Sequence, residues 1–241
     1  YIYTGTNYGG VFVSTDNGSN WTAAHNGLTV DGLKVMSIAV TGNNIFAGTE
    51  SGVYLSTNNG NNWTEVNNGL TTNGEDFPVY AFAISGSNIF AGTEYGVYLS
   101  SNSGNSWTKL TNGLPDNHVR AIAISGSNIF AGTQGAGVYL STDNGSSWTE
   151  VNNGIFGSFH IHSIAINGNN TFVGTADSKV FLSNNNGSSW ADVSNGLPSA
   201  GDHTYYIQTL AISGSNIFAG VESQGIYLST NNGSSWTAVN T

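Results

Sequence analysis

The sequence lacks cysteine and is poor in cationic residues, and each shortage excludes a class of protein. Without cysteine, neither disulfide bonds nor thiolate metal sites can form. Only 4 residues are Lys or Arg against 14 Asp or Glu, which leaves a net charge of −10. Because nucleic acids and anionic membranes attract the opposite charge, we expect neither as a partner. No run of about 18 apolar residues is present, so we expect no segment that inserts into a membrane.

What the chain does have is a repeat. Residues 14–21 read Ser-Thr-Asp-Asn-Gly-Ser-Asn-Trp, and near-copies of this segment recur five times along the 241 residues. The copies end at Trp63, Trp107, Trp148, Trp190 and Trp236, which together with Trp21 are all 6 tryptophans. A repeat of about 40 residues is typical of the four-stranded blade of a β-propeller. We therefore predict an all-β fold and interpret residues 1–241 as a single propeller domain.

Each copy follows the pattern Ser-x-Asp/Asn-x-Gly-x-x-Trp, and we call these six segments the box turns. The Asp or Asn side chain can accept backbone N–H groups within a tight turn, and Gly can adopt a positive φ. We expect Trp to open the next strand and to bury its ring against the turn. The third position is occupied by Asp16, Asn58, Asn102, Asp143, Asn185 and Asn231.

The box turns resemble the Asp-box, or BNR, repeat of sialidase-like propellers and of photosystem II assembly-factor-like propellers. The resemblance covers the whole chain, although four of the six boxes carry Asn in place of Asp. Because Asn can make the same turn, the expected fold is unchanged. In that family the box is a structural turn, so the resemblance implies that box residues and their tryptophans are structural.

The remaining segments predict antiparallel strands A to D, of which strand A is the innermost in each blade. Strand A resembles Val119–Ile124, strand B Asn88–Thr93 and strand C Gly96–Ser100, and strand D follows Trp. The chain enters at strand B, so blade one lacks its own strand A. We favour six blades over part of a seven-bladed ring, because a ring without one blade would expose two broad apolar faces. Because the sequence starts at Tyr1, without Met and without a signal peptide, we expect it to be a processed form or an excised fragment.

The rim opposite the box turns is where the repeats differ, and variable positions in a repeated frame are where a binding function can be added. Its loops, such as 71–78 and 198–206, carry aromatic and His residues. Aromatic rings beside a few polar groups suit a sugar or peptide ligand. The alternative is that these residues only pack the loops. The candidate binding residues are Glu50, Tyr80, Glu94, Tyr95, His118, Arg120, His160, His162, Tyr206 and Gln208.

Glycoside hydrolysis and metal binding are the chemical alternatives to ligand binding. Glu50 and Glu94 hold equivalent positions, which raises a carboxylate pair for glycoside hydrolysis, but equivalent spacing follows from the repeat alone. His118, His160 and His162 could hold a transition metal only if they converge, and their spacing does not require this. We therefore predict no metal, no cofactor and no catalytic residue.

Sialidase activity is rejected from the sequence. Sialidases of the resembled family use an arginine triad to hold the substrate carboxylate, and this chain contains a single arginine, Arg120. The leading hypothesis is a non-catalytic, secreted, cell-surface or periplasmic propeller that binds a glycan or a protein, or acts as a scaffold in a larger chain or complex. The alternatives are a glycoside hydrolase or lyase that uses Glu50, Glu94 or Asp177, and a recently amplified repeat with a purely structural role.

Overall fold

The computed structural model describes residues 1–72, 75–198 and 205–240, and within them nearly all regular structure is β. The contacts group into two compact units, Tyr1–Leu110 and Thr111–Thr241. Each unit holds three sheets of three or four antiparallel strands in chain order, and the first unit has a two-stranded hairpin in addition. Each sheet of three or four strands is one propeller blade, and the predicted all-β, six-bladed propeller is confirmed. No helix of the described ranges is long and apolar enough to cross a membrane.

The first unit begins with a blade of three strands, which agrees with the predicted absence of its own strand A. A single 3₁₀ turn, Asp31–Leu33, leads into blade two, and a short hairpin of β8 and β9 precedes blade three. The strands are β1 (Ile2–Thr6), β2 (Gly10–Ser14) and β3 (Thr22–Ala23) in blade one; β4 (Val35–Thr41), β5 (Asn44–Thr49), β6 (Gly52–Ser56) and β7 (Thr64–Glu65) in blade two; β8 (Thr71–Thr72) and β9 (Glu75–Asp76); and β10 (Val79–Ser85), β11 (Asn88–Thr93), β12 (Gly96–Ser100) and β13 (Thr108–Leu110) in blade three.

The second unit contains three blades of four strands each. Its fourth strands are only two residues long, so most of each blade's core comes from the first three. The strands are β14 (Val119–Ser125), β15 (Asn128–Thr133), β16 (Val138–Ser141) and β17 (Thr149–Glu150) in blade four; β18 (Ile161–Asn167), β19 (Asn170–Thr175), β20 (Val180–Ser183) and β21 (Ala191–Asp192) in blade five; and β22 (Ile207–Ser213), β23 (Asn216–Val221), β24 (Gly225–Ser229) and β25 (Thr237–Ala238) in blade six.

The box turns have the predicted hydrogen bonds. Ser14 Oγ donates to Asp16 Oδ1 at 2.8 Å and accepts the N–H of Gly18 at 2.8 Å, while Asp16 Oδ1 accepts the N–H of Asn20 at 2.9 Å. Gly18 has a φ of 88°, a conformation that residues with a Cβ rarely adopt. In the second box, Asn58 Oδ1 accepts the same two bonds as Asp16, so Asn does form the same turn.

The tryptophan rings do not pack as predicted, because their indole groups bond to the neighbouring blade rather than to their own turn. In the first unit, Trp107 Nε1 donates to the carbonyl of Val66 at 2.9 Å, and its backbone N–H donates to the carbonyl of Asn68 at 2.9 Å. Trp63 binds blade one in the same way. There are two exceptions: Trp21 Nε1 donates to the carbonyl of Gly18 in its own turn, and Trp148 Nε1 is buried without a hydrogen-bond partner among the described residues. Each of the other contacts therefore ties one blade to the next.

The cost of losing an inter-blade tryptophan can be measured within one unit. We expect Trp107→Ala to lower the free energy of unfolding by about 3–5 kcal/mol, because it removes a buried ring. We expect Trp21→Ala to cost less than about 1 kcal/mol, because that ring is exposed. Urea denaturation of both variants at one low protein concentration measures the difference, and equal losses would contradict the role assigned to Trp107.

The two boxes that keep Asp should add a pH dependence to stability. Hydrogen bonds from the Asn20 side chain, the Asn20 backbone and Ser14 lower the pKa of Asp16 to about 2, and Ser147 and Ser141 do the same for Asp143. Since both pKa values lie below that of a free Asp, about 3.9, the stabilisation is present above about pH 4 and is lost toward pH 2. We expect the double variant Asp16→Asn, Asp143→Asn to lose less stability over this range in urea titrations.

The control variant for that experiment is Asp31→Asn, which removes a negative charge outside the box turns. Its loss of stability between about pH 4 and about pH 2 is compared with that of the wild-type protein. Comparison with this control separates the box hydrogen bonds from a general change in net charge. A double variant that keeps the full acid sensitivity of the wild-type protein would show that the boxes do not contribute.

Candidate functional site

Strand A of each complete blade begins with a β-bulge. In blade five Ile161 pairs with Thr175 and Ser163 pairs with the adjacent Gly174, which leaves His162 as an extra residue outside the ladder. Bulges re-aim side chains and are frequent beside functional sites. The same register shift occurs at the same point in all five strands. Four of the bulged residues are candidate binding residues predicted from the sequence, namely Tyr80, Arg120, His162 and Gln208, and the fifth is Met36.

A close approach of neighbouring strands fixes where the bulges lie in the second unit. Gly132 of β15 faces Ile161, the first residue of the next blade, and a Cβ at residue 132 would lie 2.6 Å from Ile161 Cγ2. Only glycine allows this approach, because a real Cβ essentially never comes so near another carbon. The glycine thus positions the start of β18, and with it His162.

Bulged and flanking residues of adjacent blades meet in the second unit. The ring of His162 in blade five stacks on the ring of Tyr206 in blade six, with centroids 4.7 Å apart and planes at 22°. Tyr206 directly precedes β22, and its carbonyl accepts the N–H of Glu222 at 2.9 Å. Both residues are partly buried, so part of their surface remains in contact with solvent. The pair forms a flat aromatic surface next to polar groups.

Arg120 of blade four lies beside this stack and is held by Gln134. Its Nε and Nη2 both donate to Gln134 Oε1, at 3.1 and 2.9 Å. Gln134 also forms a backbone bridge with His160 of blade five. The sequence analysis missed Gln134, although it follows strand B at the repeat position that Glu50 and Glu94 occupy. Alignment of the repeats at that position would have identified it.

The surroundings of His162 favour the neutral form of its imidazole. Burial lowers its pKa, the charge of Arg120 and His160 lowers it further, and Glu222 acts in the opposite direction. A neutral imidazole can both donate and accept a hydrogen bond. His162 can therefore offer a stacking face and a polar edge to the same ligand.

The remaining predicted residues of the second unit lie at the edges of this group. The side chains of His160 and Gln208 are exposed, and the carbonyl of His118 accepts the N–H of Gln134 at 2.8 Å. We call Arg120, Gln134, His160, His162 and Tyr206 the histidine–tyrosine surface. This surface places aromatic side chains beside Arg120, which is one of only 4 Lys and Arg residues in the chain.

The other four candidate residues lie in the first unit. Glu50 makes an ion pair with Lys34, whose pKa is raised mainly by that contact. Tyr95 packs edge-on against Phe77 with centroids 5.1 Å apart. The backbone N–H of Glu94 donates to the carbonyl of Pro78 at 3.2 Å, and Tyr80 is the bulged residue of blade three.

The metal-binding alternative gains no clustered site in the described residues. Within these ranges no group of three His, Cys, Asp or Glu side chains is placed to hold a metal, so His118, His160 and His162 do not converge. The carboxylate of Asp177 accepts hydrogen bonds from Thr175 and from the backbone of Ser158, which gives it a role in its own loop. In the two variable loops, residues 73–74 and 199–204 lie outside the described residues.

The fold and the repeated blades define a β-propeller, and comparison with family models agrees. Residues 79–218, more than half of the chain, match the model of the DUF6242 beta propeller domain. The chain belongs to this family. A comparison with curated protein sequences finds no match.

Solved structures with the same fold include domains of several functions. The extracellular domain of a B. thetaiotaomicron protein is similar with a TM-score of 0.77 and 17% identity, over 98% of this chain and 31% of that one. An ancestral GH74 enzyme has a TM-score of 0.74 and 22% identity, over 98% and 36%. YCF48 bound to D1 peptide has a TM-score of 0.70 and 16% identity, over 98% and 77%. The chain thus spans about a third of the first two proteins, and at these identities the likeness shows the fold alone.

The pKa of His162 provides a test of the histidine–tyrosine surface. We expect its imidazole to titrate below the ordinary value of 6.5, and both Tyr206→Ala and Arg120→Gln to raise the midpoint, since they reduce burial and remove positive charge. In the wild-type protein the folded state binds this proton less tightly than the unfolded chain does. The contribution of His162 to the free energy of unfolding is therefore present above about pH 6.5 and is lost as the pH falls.

NMR titration of the imidazole Hε1 resonance measures these midpoints directly. Glu222→Gln is the matched control of opposite sign, because removal of a negative charge should lower the midpoint further. A midpoint that does not respond to any of the three substitutions would contradict the described environment.

Proposed function

We propose that this chain is a non-catalytic, extracytoplasmic propeller module that binds a glycan or a protein segment on the histidine–tyrosine surface. The observation that carries the proposal is the stack of His162 on Tyr206 beside the Arg120 guanidinium. These groups come from adjacent blades, and two of them are bulged residues that the β-ladder itself does not use.

The chemistry of the surface suits a ligand with a flat or weakly polar face. A sugar ring or a peptide side chain can pack on the exposed side of an aromatic stack, while nearby polar groups fix its orientation. The amide nitrogen of Gln134 and the neutral imidazole of His162 offer hydrogen bonds of defined direction. Arg120 adds positive charge to a protein of net charge −10, which favours an uncharged or locally anionic ligand at this place.

The comparisons support binding in general terms. The similar structures include an extracellular domain and a propeller bound to a peptide, and these uses belong to those proteins. On the same similarities we propose a location outside the cytoplasm and a single propeller domain. Membership of the Asp-box, or BNR, class is proposed from the box-turn hydrogen bonds. The partner is a glycan or a protein, with the chain as one module of a larger assembly.

The second candidate function is that of a glycoside hydrolase or lyase. It is favoured by the similarity to a GH74 enzyme, and it would require catalysis by Glu50, Glu94 or Asp177. The ion pair of Glu50 with Lys34 and the loop contacts of Asp177 give those carboxylates structural roles. A third reading, repetition without a ligand, is supported by identical strands such as Asn44–Thr49 and Asn88–Thr93.

A binding screen tests the proposal. We expect the purified chain to bind a member of a glycan array or a peptide array, and we expect Tyr206→Ala and His162→Ala each to weaken that binding by at least about 10-fold, because loss of a stacked aromatic anchor costs about 1.4 kcal/mol or more. Isothermal titration of the ligand found on the array measures the affinity of each variant.

The matched control is Tyr1→Ala, which removes an exposed tyrosine of the other unit and should leave the affinity unchanged. Assay of the same ligands for bond cleavage, with Glu50→Gln, Glu94→Gln and Asp177→Asn alongside, distinguishes an enzyme. Binding that Tyr206→Ala and His162→Ala leave intact would place the ligand elsewhere and overturn the proposed site.

A further inference from the structure

Blade five departs from the repeat at the turn between its second and third strands. The residue that precedes the first Val or Ile of the third strand is Lys179 in blade five, whereas the other five blades have glycine there. Across from this turn, Ser194 stands where blade four has Asn152. Blade four has a turn of the same length, so the two blades can be compared residue by residue.

The packing of blade four explains why the two changes occur together. A Cβ on Gly137 would collide with Asn152 Oδ1, so the asparagine leaves no room for a side chain at that position. Asn152 Oδ1 accepts the N–H of Val138 at 2.7 Å, and Ser194 Oγ accepts the N–H of Val180 at 3.0 Å. The shorter serine therefore keeps the backbone hydrogen bond and makes room for Lys179.

A cavity of about 370 Å³ lies beside these two residues. We call it the lysine cavity, and it is lined by residues 177–179 together with Asp192, Ser194, Leu197 and Pro198. The corresponding cavity of blade four, beside Asn152, has a volume of about 240 Å³. Sites for small ligands have volumes of roughly 300–1,000 Å³. The cavity of blade five reaches this range, and that of blade four does not.

The polar groups of the lysine cavity are placed to bind a hydroxyl group. The hydroxyl and the backbone N–H of Ser194 both donate to Asp192 Oδ1, at 2.5 and 3.0 Å, which fixes the carboxylate. Its other oxygen, Oδ2, lies 3.8 Å from Lys179 Nζ. This separation is too long for a direct hydrogen bond. A hydroxyl between the two groups can accept from the ammonium and donate to the carboxylate.

An exposed aromatic ring lies beside the same ammonium group. Lys179 Nζ is 3.7 Å from the centroid of the Phe156 ring, and Phe156 is 51% exposed. The ring of Phe156 packs edge-on against the buried Phe181, with centroids 5.3 Å apart, which fixes its position. A sugar ring combines hydroxyl groups with an apolar face, so one sugar residue can contact Phe156 and the ammonium–carboxylate pair together.

The turn that forms the cavity is held in place by hydrogen bonds. Ser178 is buried, and its Oγ donates to the carbonyl of Tyr205 at 2.9 Å and accepts the N–H of Tyr205 at 3.2 Å. The carboxylate of Asp177 accepts hydrogen bonds from Thr175 and from the backbone of Ser158. A site that is formed before its ligand binds loses less entropy on binding.

The charges at the cavity favour an uncharged ligand. Two carboxylates, those of Asp177 and Asp192, accompany the single ammonium of Lys179, and the whole chain has a net charge of −10. An anion is therefore repelled, and Lys179 opposes a cation. We propose that the lysine cavity is a second binding site, which takes one residue of an uncharged saccharide with a hydroxyl between Lys179 Nζ and Asp192 Oδ2 and an apolar face on Phe156.

NMR titration of the isotope-labelled chain tests this second site. The probes are the methyl glycosides of glucose, galactose, mannose, xylose and N-acetylglucosamine, and the methyl glycoside of glucuronic acid serves as the anionic comparison. We expect at least one uncharged probe to shift the amide resonances of Lys179 and of residues 192–194 until they saturate. We expect Lys179→Met and Asp192→Asn each to weaken this binding by about 10-fold or more, because each removes a hydrogen bond to a charged group.

Two further variants serve as controls. Lys109→Met makes the same substitution in the other unit and should bind like wild type. The double variant Lys179→Gly, Ser194→Asn restores the pattern of blade four, so it should keep the wild-type circular dichroism spectrum and lose the binding.

Three results would overturn the proposal. The first is the absence of saturable shifts with every uncharged probe, and the second is binding that survives Lys179→Met and Asp192→Asn. The third is binding of the glucuronide alone, which would make the cavity an anion site. The resonances of His162 and Tyr206 report the histidine–tyrosine surface in the same spectra, so the failure of either site is seen separately.

Discussion

The contact on which each unit of this protein depends is a tryptophan that bonds to the blade before it. A blade of four short strands cannot bury both of its faces alone, so its stability depends on its neighbours. In four of the box turns the tryptophan supplies a large buried ring and two N–H donors aimed at one edge of the preceding blade; these are Trp63, Trp107, Trp190 and Trp236. The box hydrogen bonds keep the turn in shape, and the glycine allows its backbone to approach the neighbouring phenylalanine.

The same repetition that stabilises the blades explains where a binding surface can arise. Strands B and C must keep their sequences, because their side chains are buried between neighbours. The bulge in strand A leaves one residue per blade outside the ladder, and that residue can change without a loss of packing. Arg120, His162 and Gln208 occupy this position in the second unit. A binding surface at this position therefore requires no change in the strand pairing of the blades.

Sequence reasoning predicted the blades well, because hydrophobic alternation, turn residues and a 41- to 46-residue period all indicate the same fold. It also found the bulged residues, but as variable positions rather than as bulges, since a register shift depends on the pairing of two strands. It was wrong about the tryptophan ring, which was expected on its own turn. It missed Gln134, because a partner for Arg120 can be recognised only when the two side chains are placed in space.

The sequence by itself determined the all-β class, the missing first strand and the box turns, because each of these depends on local chemistry repeated at a fixed period, and it favoured six blades over part of a seven-bladed ring. Only the tertiary structure decided which variable residues meet, since the stack of His162 on Tyr206 joins residues of different blades. It also decided which apolar residues stay exposed. Ile226 and Val180 hold equivalent repeat positions, yet Ile226 is exposed and Val180 is buried.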